Sequence, residues 1–336
     1  MTTQDQGPSV PEPPAVSSAV PPAAPAVVSP GVAARLDAVG AFAGRSWRAE
    51  ELSGGLTNHN FKVTVPAVPA EAGVQTFVAR LSTPSGALLA IDRDAEYACS
   101  LAAAATGVAP VVVEYAPRVG VLVIEWVEGR TLGPEDLRRP SELARVADSL
   151  RRLHSAARFP VDFDMFAIQR QYLEVVQANG FRLPERYLEF GPIVDRIRAA
   201  LAVRGEDTRP CHNDLLAANL IDDGEQIWLI DYEYAGNNEP SFELGNLWSE
   251  STLAPGLLDH LVELYWGEHL RHKVARARLW ALVAKYGWTL WASIQDGVSG
   301  LDFDFWSWGM EKYDRAVAEF DSADLEQWIE QVQRDD

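Results

Sequence analysis

Cys211-His212-Asn213-Asp214-Leu215-Leu216-Ala217-Ala218-Asn219-Leu220-Ile221, followed by the apolar strand Trp228-Leu229-Ile230 and then Asp231-Tyr232-Glu233, is the stretch that decides the fold. It reads His-x-Asp-x-x-x-x-Asn, a strand, and a second Asp. Each piece answers a demand of phosphoryl transfer. One carboxylate must orient an attacking hydroxyl and accept its proton; a carboxamide and another carboxylate must hold magnesium on the phosphates. Asp214 suits the first role, with His212 taken alongside it as part of the catalytic loop, and Asn219 with Asp231 suits the second. Both offer hard oxygen ligands, which Mg2+ takes together with waters and phosphate oxygens. Asp214 and Asn219 share one loop and can face a phosphate from two sides, and the strand returns Asp231 to the same place.

Upstream, a hairpin-like stretch from Trp47 to Val65 turns at a glycine pair. Ser53-Gly54-Gly55-Leu56-Thr57-Asn58 reads as a phosphate-covering turn, because glycines let backbone N–H groups approach an anion. The short strand Phe77–Leu81 carries Arg80, where protein kinases place a phosphate-contacting lysine; the helix expected from Asp92 to Ala105 carries Glu96, where they place its ion-pair partner. Strands follow at Val111–Val113 and Val121–Ile124. Glu125-Trp126-Val127 then reads as a hinge whose backbone amides, at Glu125 and Val127, meet adenine. ATP and Mg2+ are the expected cofactors. Beyond Pro134 the character turns helical: Leu143, Val146, Leu150 and Leu153 form the stripe of an amphipathic helix. The chain thus divides into a Pro/Ala-rich tail (1–30) expected to be disordered, a small mixed unit (31–128) that binds nucleotide, and a mainly helical unit (129–336) with the catalytic loop and acceptor site.

Composition narrows the class. The chain has 336 residues, enough for two packed units, and 48 acidic against 29 basic side chains give a net charge of −19. Such a surface repels phosphate backbones and excludes nucleic acid as the expected partner, while it favours a cationic acceptor. Cys99 and Cys211 make no disulfide framework, which suits a reducing cytoplasm. The start Met1-Thr2-Thr3-Gln4-Asp5-Gln6 lacks the basic and apolar regions of a secretory signal, and no apolar run reaches the ~20 residues of a membrane span.

The segment Ile230-Asp231-Tyr232-Glu233-Tyr234, continuing through Asn238 to Phe242-Glu243-Leu244-Gly245-Asn246 and Glu250, resembles the signature of the choline/ethanolamine kinases, a branch of the aminoglycoside-phosphotransferase-like superfamily. The resemblance covers roughly Leu52 to Arg315. It implies an α+β, bilobal protein-kinase-like fold acting on Mg-ATP, with Asp214 as base, Asn219 and Asp231 on the metal, and Glu233 supporting them. Downstream, Tyr286-Gly287-Trp288-Thr289-Leu290-Trp291, then Ile294-Gln295 and Phe303-Asp304-Phe305-Trp306-Ser307-Trp308, are similar to the family's acceptor segment. Trp288, Trp291 and Trp308 fall on its cage positions and would join Tyr234 and Glu250 around a quaternary ammonium, which aromatic faces and carboxylates hold without hydrogen bonds. The implied partner is a small amino alcohol, choline first, with ethanolamine, another amino alcohol or an aminoglycoside as alternatives and a catalytically inactive binding module behind them. Two departures bear on the acceptor: Ser251-Thr252-Leu253-Ala254-Pro255 stands where the family supplies another cage tyrosine, and Trp308 stands in place of a tyrosine. His154 reads as a packing or capping residue.

Overall fold

A computed structural model of the chain describes residues 28–67 and 73–335. Most of the expected tail, up to residue 27, lies outside the described residues. Helix α1 (Pro30–Asp37) opens on a proline, and the Ser29 hydroxyl caps it by accepting from the Val32 amide. Next come strands β1 (Arg48–Glu51), β2 (His59–Pro66) and β3 (Val74–Leu81), helix α2 (Arg93–Ala104), and strands β4 (Val112–Ala116) and β5 (Val121–Glu125). The strands form one antiparallel sheet in the order β1-β2-β3-β5-β4. Alternation along β2 and β3 sends Phe61, Val63, Val65, Phe77, Ala79 and Leu81 into a core with Leu36 and Phe42. It leaves Asn60, Val78 and Arg80 on the opposite face, toward the rest of the chain.

After β5 the chain crosses to the second lobe: β6 (Arg130–Thr131), α3 (Pro140–His154), α4 (Met165–Asn179), α5 (Gly191–Val203), β7 (Arg209–Cys211), β8 (Leu220–Asp222), β9 (Ile227–Leu229) and β10 (Gly236–Asn238). Helices α6 (Pro240–Glu250), α7 (Pro255–Trp266), α8 (Arg271–Val298), α9 (Phe305–Phe320) and α10 (Asp324–Gln331) complete it. Past Glu128-Gly129 the chain enters β6, which pairs with β8. A Cβ at Gly129 would lie 2.6 Å from the Asp222 carbonyl, so this approach needs glycine. Pairings β7–β10 and β6–β8–β9 bracket the two loops that matter, 212–219 and 230–235. The predicted stripe of α3 is fully buried.

Helix α8 is the axis of the second lobe. Every residue from Leu279 to Gln295 is buried, as befits a helix surrounded on all sides. Among the described residues, no helix is long and apolar enough to cross a membrane. Helix α6 crosses α8 at Gly245, where a Cβ would sit 2.1 Å from the Ala277 carbonyl. Gly245→Ala gains about 1 kcal/mol of helix propensity, but overpacking against backbone costs about 1–3 kcal/mol. The clash should win and lower the unfolding temperature by several degrees in a circular-dichroism melt. Gly287→Ala meets at close range the Met165 Cε at 2.1 Å, the end of a flexible side chain rather than backbone, and should be better tolerated; equal losses would contradict this packing account.

Candidate active site

The loop between β7 and β8 is built from beneath. Glu243, near the start of α6, is fully buried, and its Oε1 accepts from the backbone amides of His212 (2.8 Å) and Asn213 (3.0 Å). Its Oε2 lies 2.6 Å from His154 Nε2, and His154 Nδ1 lies 2.7 Å from the Tyr265 hydroxyl. Burial alone would push the Glu243 carboxyl up; the bonds and charge of His154, with His212 and the Asn213 amide, hold it below the usual glutamate range. Asn213 takes a left-handed conformation (φ 67°), which asparagine tolerates better than most residues. Its Nδ2 donates to the carbonyls of Tyr234 (3.0 Å) and Gly236 (3.2 Å), tying this loop to the next.

His212 differs from its expected place among the catalytic groups. It is fully buried behind the loop, its Nε2 2.7 Å from the Ile230 carbonyl, and it lines neither cavity described below. Burial lowers its pKa, so a neutral ring packs on Tyr232 and positions the loop from behind.

Asp214 faces the cleft. Burial, then the Glu233 and Glu250 carboxylates, push its carboxyl up to about 7 against the opposing Lys312 and Arg80 charges. Asn219 Nδ2 donates to the Asp214 carbonyl at 2.8 Å, which leaves the carboxamide oxygen for another partner. Asp231, just past β9, also sits in left-handed backbone (φ 74°). A network joins these groups to the first lobe. Arg80 pairs with Glu96 and with Asp231. Arg93 Nη1 reaches Glu96 at 2.7 Å and Glu233 at 3.1 Å, and its Nη2 donates to Asn58 Oδ1 at 2.7 Å. Asn58 Nδ2 in turn donates to Glu233 at 2.8 Å. Arg93 was not singled out from the sequence, although its place three residues before Glu96 is the helical spacing of an ion pair.

Two cavities meet here. One is walled by Leu52, Val78, Leu122, Ile124, Val127 and Ile230, between the lobes, and Ser53 and Glu125 also border it. The Glu125 amide already donates to the Val111 carbonyl at 2.9 Å, a consequence of β4–β5 pairing, and is not available to a ligand as expected. The Val127 amide has no hydrogen-bond partner among the described residues. The other cavity is lined by Asp214, Tyr234, Glu250, Trp288, Trp291 and Trp308, with Leu56, Thr57 and Asn58 over it. Gly54, Gly55, Asn60, Asn219 and Asp231 border both. The aromatic walls touch one another: Tyr234 meets Trp288 edge-on at 5.1 Å, and Trp291 meets Trp308 at 5.5 Å. Trp308 already carries a cation. Lys312 Nζ sits 4.0 Å over its ring and pairs with Glu250, both side chains 4% exposed. Lys312 was not foreseen; in sequence it reads as an ordinary charge on α9.

A two-lobed fold with a bridging Arg–Glu pair and an Asp-bearing loop between two joined cavities defines a phosphotransferase of protein-kinase-like build. The solved structure of aminoglycoside phosphotransferase APH(2'')-Ib with ADP shares that fold (TM-score 0.56, 13% identity, 91% of this chain and 99% of that one). The choline/ethanolamine kinase family model matches residues 49–257. A choline/ethanolamine kinase family protein from Mesorhizobium loti superposes with a TM-score of 0.76 at 29% identity, over 90% of this chain and 98% of that one. Probable choline kinase 3 of Arabidopsis thaliana is 27% identical over 302 residues, 80% of this chain and 85% of its own length. The chain therefore belongs to the choline/ethanolamine kinase family. It is a nucleotide-using phosphotransferase with an alcohol group as acceptor.

Removing one partner of a buried ionic cluster costs about 3–5 kcal/mol, so Glu243→Ala should lose stability on that scale in urea unfolding. A carboxyl held below its unfolded value stabilises above that value and ceases to as pH falls through its folded value. The gap between wild type and variant should therefore narrow when the titration is repeated below the ordinary glutamate range. A gap that widens there would contradict the ionised Glu243.

Proposed function

We propose that the enzyme transfers the γ-phosphate of ATP to the hydroxyl of choline, giving phosphocholine and ADP. One observation carries the reading: the cavity that holds Asp214 is walled by Trp288, Trp291 and Tyr234 and opens onto the junction at Asn219 and Asp231. A trimethylammonium group has no strong hydrogen-bond donors, so tryptophan faces suit it better than carbonyls do. With the cation against those rings, the acceptor's hydroxyl is directed at Asp214, which orients it and takes its proton. A carboxylate raised toward neutrality, as Asp214 is by its burial, is a better match for that task than an ordinary aspartate.

The donor set fits magnesium. Asn219 has its nitrogen engaged and its oxygen available, and Asp231 keeps Oδ2 without a partner among the described residues. Asn219 and Asp231 would hold Mg2+, with Glu233 beside them; the ion would neutralise charge on the β- and γ-phosphates. On the nucleotide side, the Val127 amide, without a partner among the described residues, would meet the base, while Ser53, Gly54 and Gly55 cover the phosphates; Thr57 and Asn58 stand over the acceptor side of the same turn. Gly54 (φ 99°) is in backbone that side-chain-bearing residues seldom adopt. Arg80 lies on the same border with its guanidinium already between Glu96 and Asp231.

Ethanolamine is the second reading. Glu250 Oε1 is buried without a hydrogen-bond partner among the described residues, and a primary ammonium, unlike choline, would donate to it.

Asp214→Asn should abolish ADP release while ATP still binds in calorimetry; wild-type turnover would remove Asp214 from the base role. Trp288→Ala should raise the KM for choline by up to about thirtyfold, the scale of a desolvated cation–π contact, with little change in the KM for ATP. Equal effects on both substrates would return Trp288 to a packing role.

A further inference from the structure

Three successive residues of the glycine turn are pinned. Asn58 is held by Glu233 and Arg93, and the Thr57 carbonyl accepts from Thr83 Oγ1 at 2.9 Å. The Leu56 carbonyl accepts from Gln295 Nε2 at 2.7 Å. This last bond spans the molecule. Gln295 is 1% exposed and lies on α8, four residues after Trp291 and seven after Trp288, so the three side chains share one helix face. Leu56 itself packs on the helical core and lines the acceptor-side cavity with those tryptophans. The turn is compact as well: a Cβ at Gly55 would lie 2.6 Å from the Asn58 carbonyl. Its three pinned residues are thus tied to both lobes.

We propose that Gln295 is a positioning residue that clips the glycine turn to the acceptor helix, so that the nucleotide's cover and the acceptor's wall close as one body. The proposal rests on reading that turn as the cover of the nucleotide phosphates. A backbone carbonyl facing a buried amide donor biases the turn toward its closed form by about three- to tenfold, the worth of one such hydrogen bond. Without the bond, the nucleotide must supply the same bias from its own affinity, which weakens its apparent binding by up to that factor, in full where the open turn predominates.

Gln295→Met keeps the length and removes the donor; Gln295→Glu keeps the shape and sets an oxygen against the Leu56 carbonyl. Both are made in the full chain and compared with wild type by hydrogen exchange of residues 54–58 without ligand, by calorimetric binding of Mg-ADP, and by KM for ATP against kcat. Both variants should exchange faster in the turn and bind Mg-ADP about three- to tenfold more weakly, Glu more so than Met. The loss should fall mainly in the KM for ATP, with cooperative melting retained. A purely structural role would lower the melting temperature and leave these readouts unmoved. Exchange and Mg-ADP affinity within about twofold of wild type in whichever variant folds would overturn the proposal. No Mg-ADP binding by wild type would sink the nucleotide reading and the clip with it. ADP release that requires an acceptor other than choline corrects the acceptor alone and leaves the clip supported by the exchange and binding data.

Discussion

Two backbone amides, those of His212 and Asn213, rest on one buried carboxylate, and the geometry of the loop that carries Asp214 follows from that contact. Glu243 is expensive to bury. Apolar side chains of similar volume would hold α6, α3 and the loop together as well or better. What they lack is a pair of fixed acceptor positions beneath the chain. With the two amides held there and His154 beneath, Asn213 is kept in its left-handed turn, its side chain stitches the loop to residues 234–236, and Asp214 emerges into the cleft.

A second constraint is the distribution of charge around the cleft. Asp214, Asp231, Glu233 and Glu250 all line the acceptor-side cavity. Three of them have a direct cationic partner: Arg80 for Asp231, Arg93 for Glu233 and Lys312 for Glu250. Asp214 has none among the described residues. Burial and its acidic neighbours lift its carboxyl, with no directly paired charge to answer them.

Much of this was legible in the sequence because it is encoded locally. The spacing of Asp214, Asn219 and Asp231 reports a loop and a returning strand, and the stripe Leu143, Val146, Leu150, Leu153 reports a helix face. Trp288 and Trp291, three apart, share a face by helical geometry alone. The parts that escaped are set by contacts far apart in the chain. Glu243 stood inside a quoted signature, yet nothing local says that its carboxylate faces the amides of residues 212 and 213. Arg93 and Lys312 look like solvated helix charges until the second lobe closes on them. His212 stands two residues before Asp214 in the same loop, yet the loop's curvature turns its ring into the interior. At the hinge, the strand pairing that consumes the Glu125 amide depends on β4 lying alongside β5.

The most direct measurement is steady-state ADP release by the purified protein with Mg-ATP across choline, ethanolamine, other amino alcohols and aminoglycosides. An aromatic cavity beside Asp214 predicts acceptor-dependent release with the highest kcat/KM for choline and a lower one for ethanolamine. Release that no amino alcohol stimulates, or that only an aminoglycoside stimulates, would contradict it.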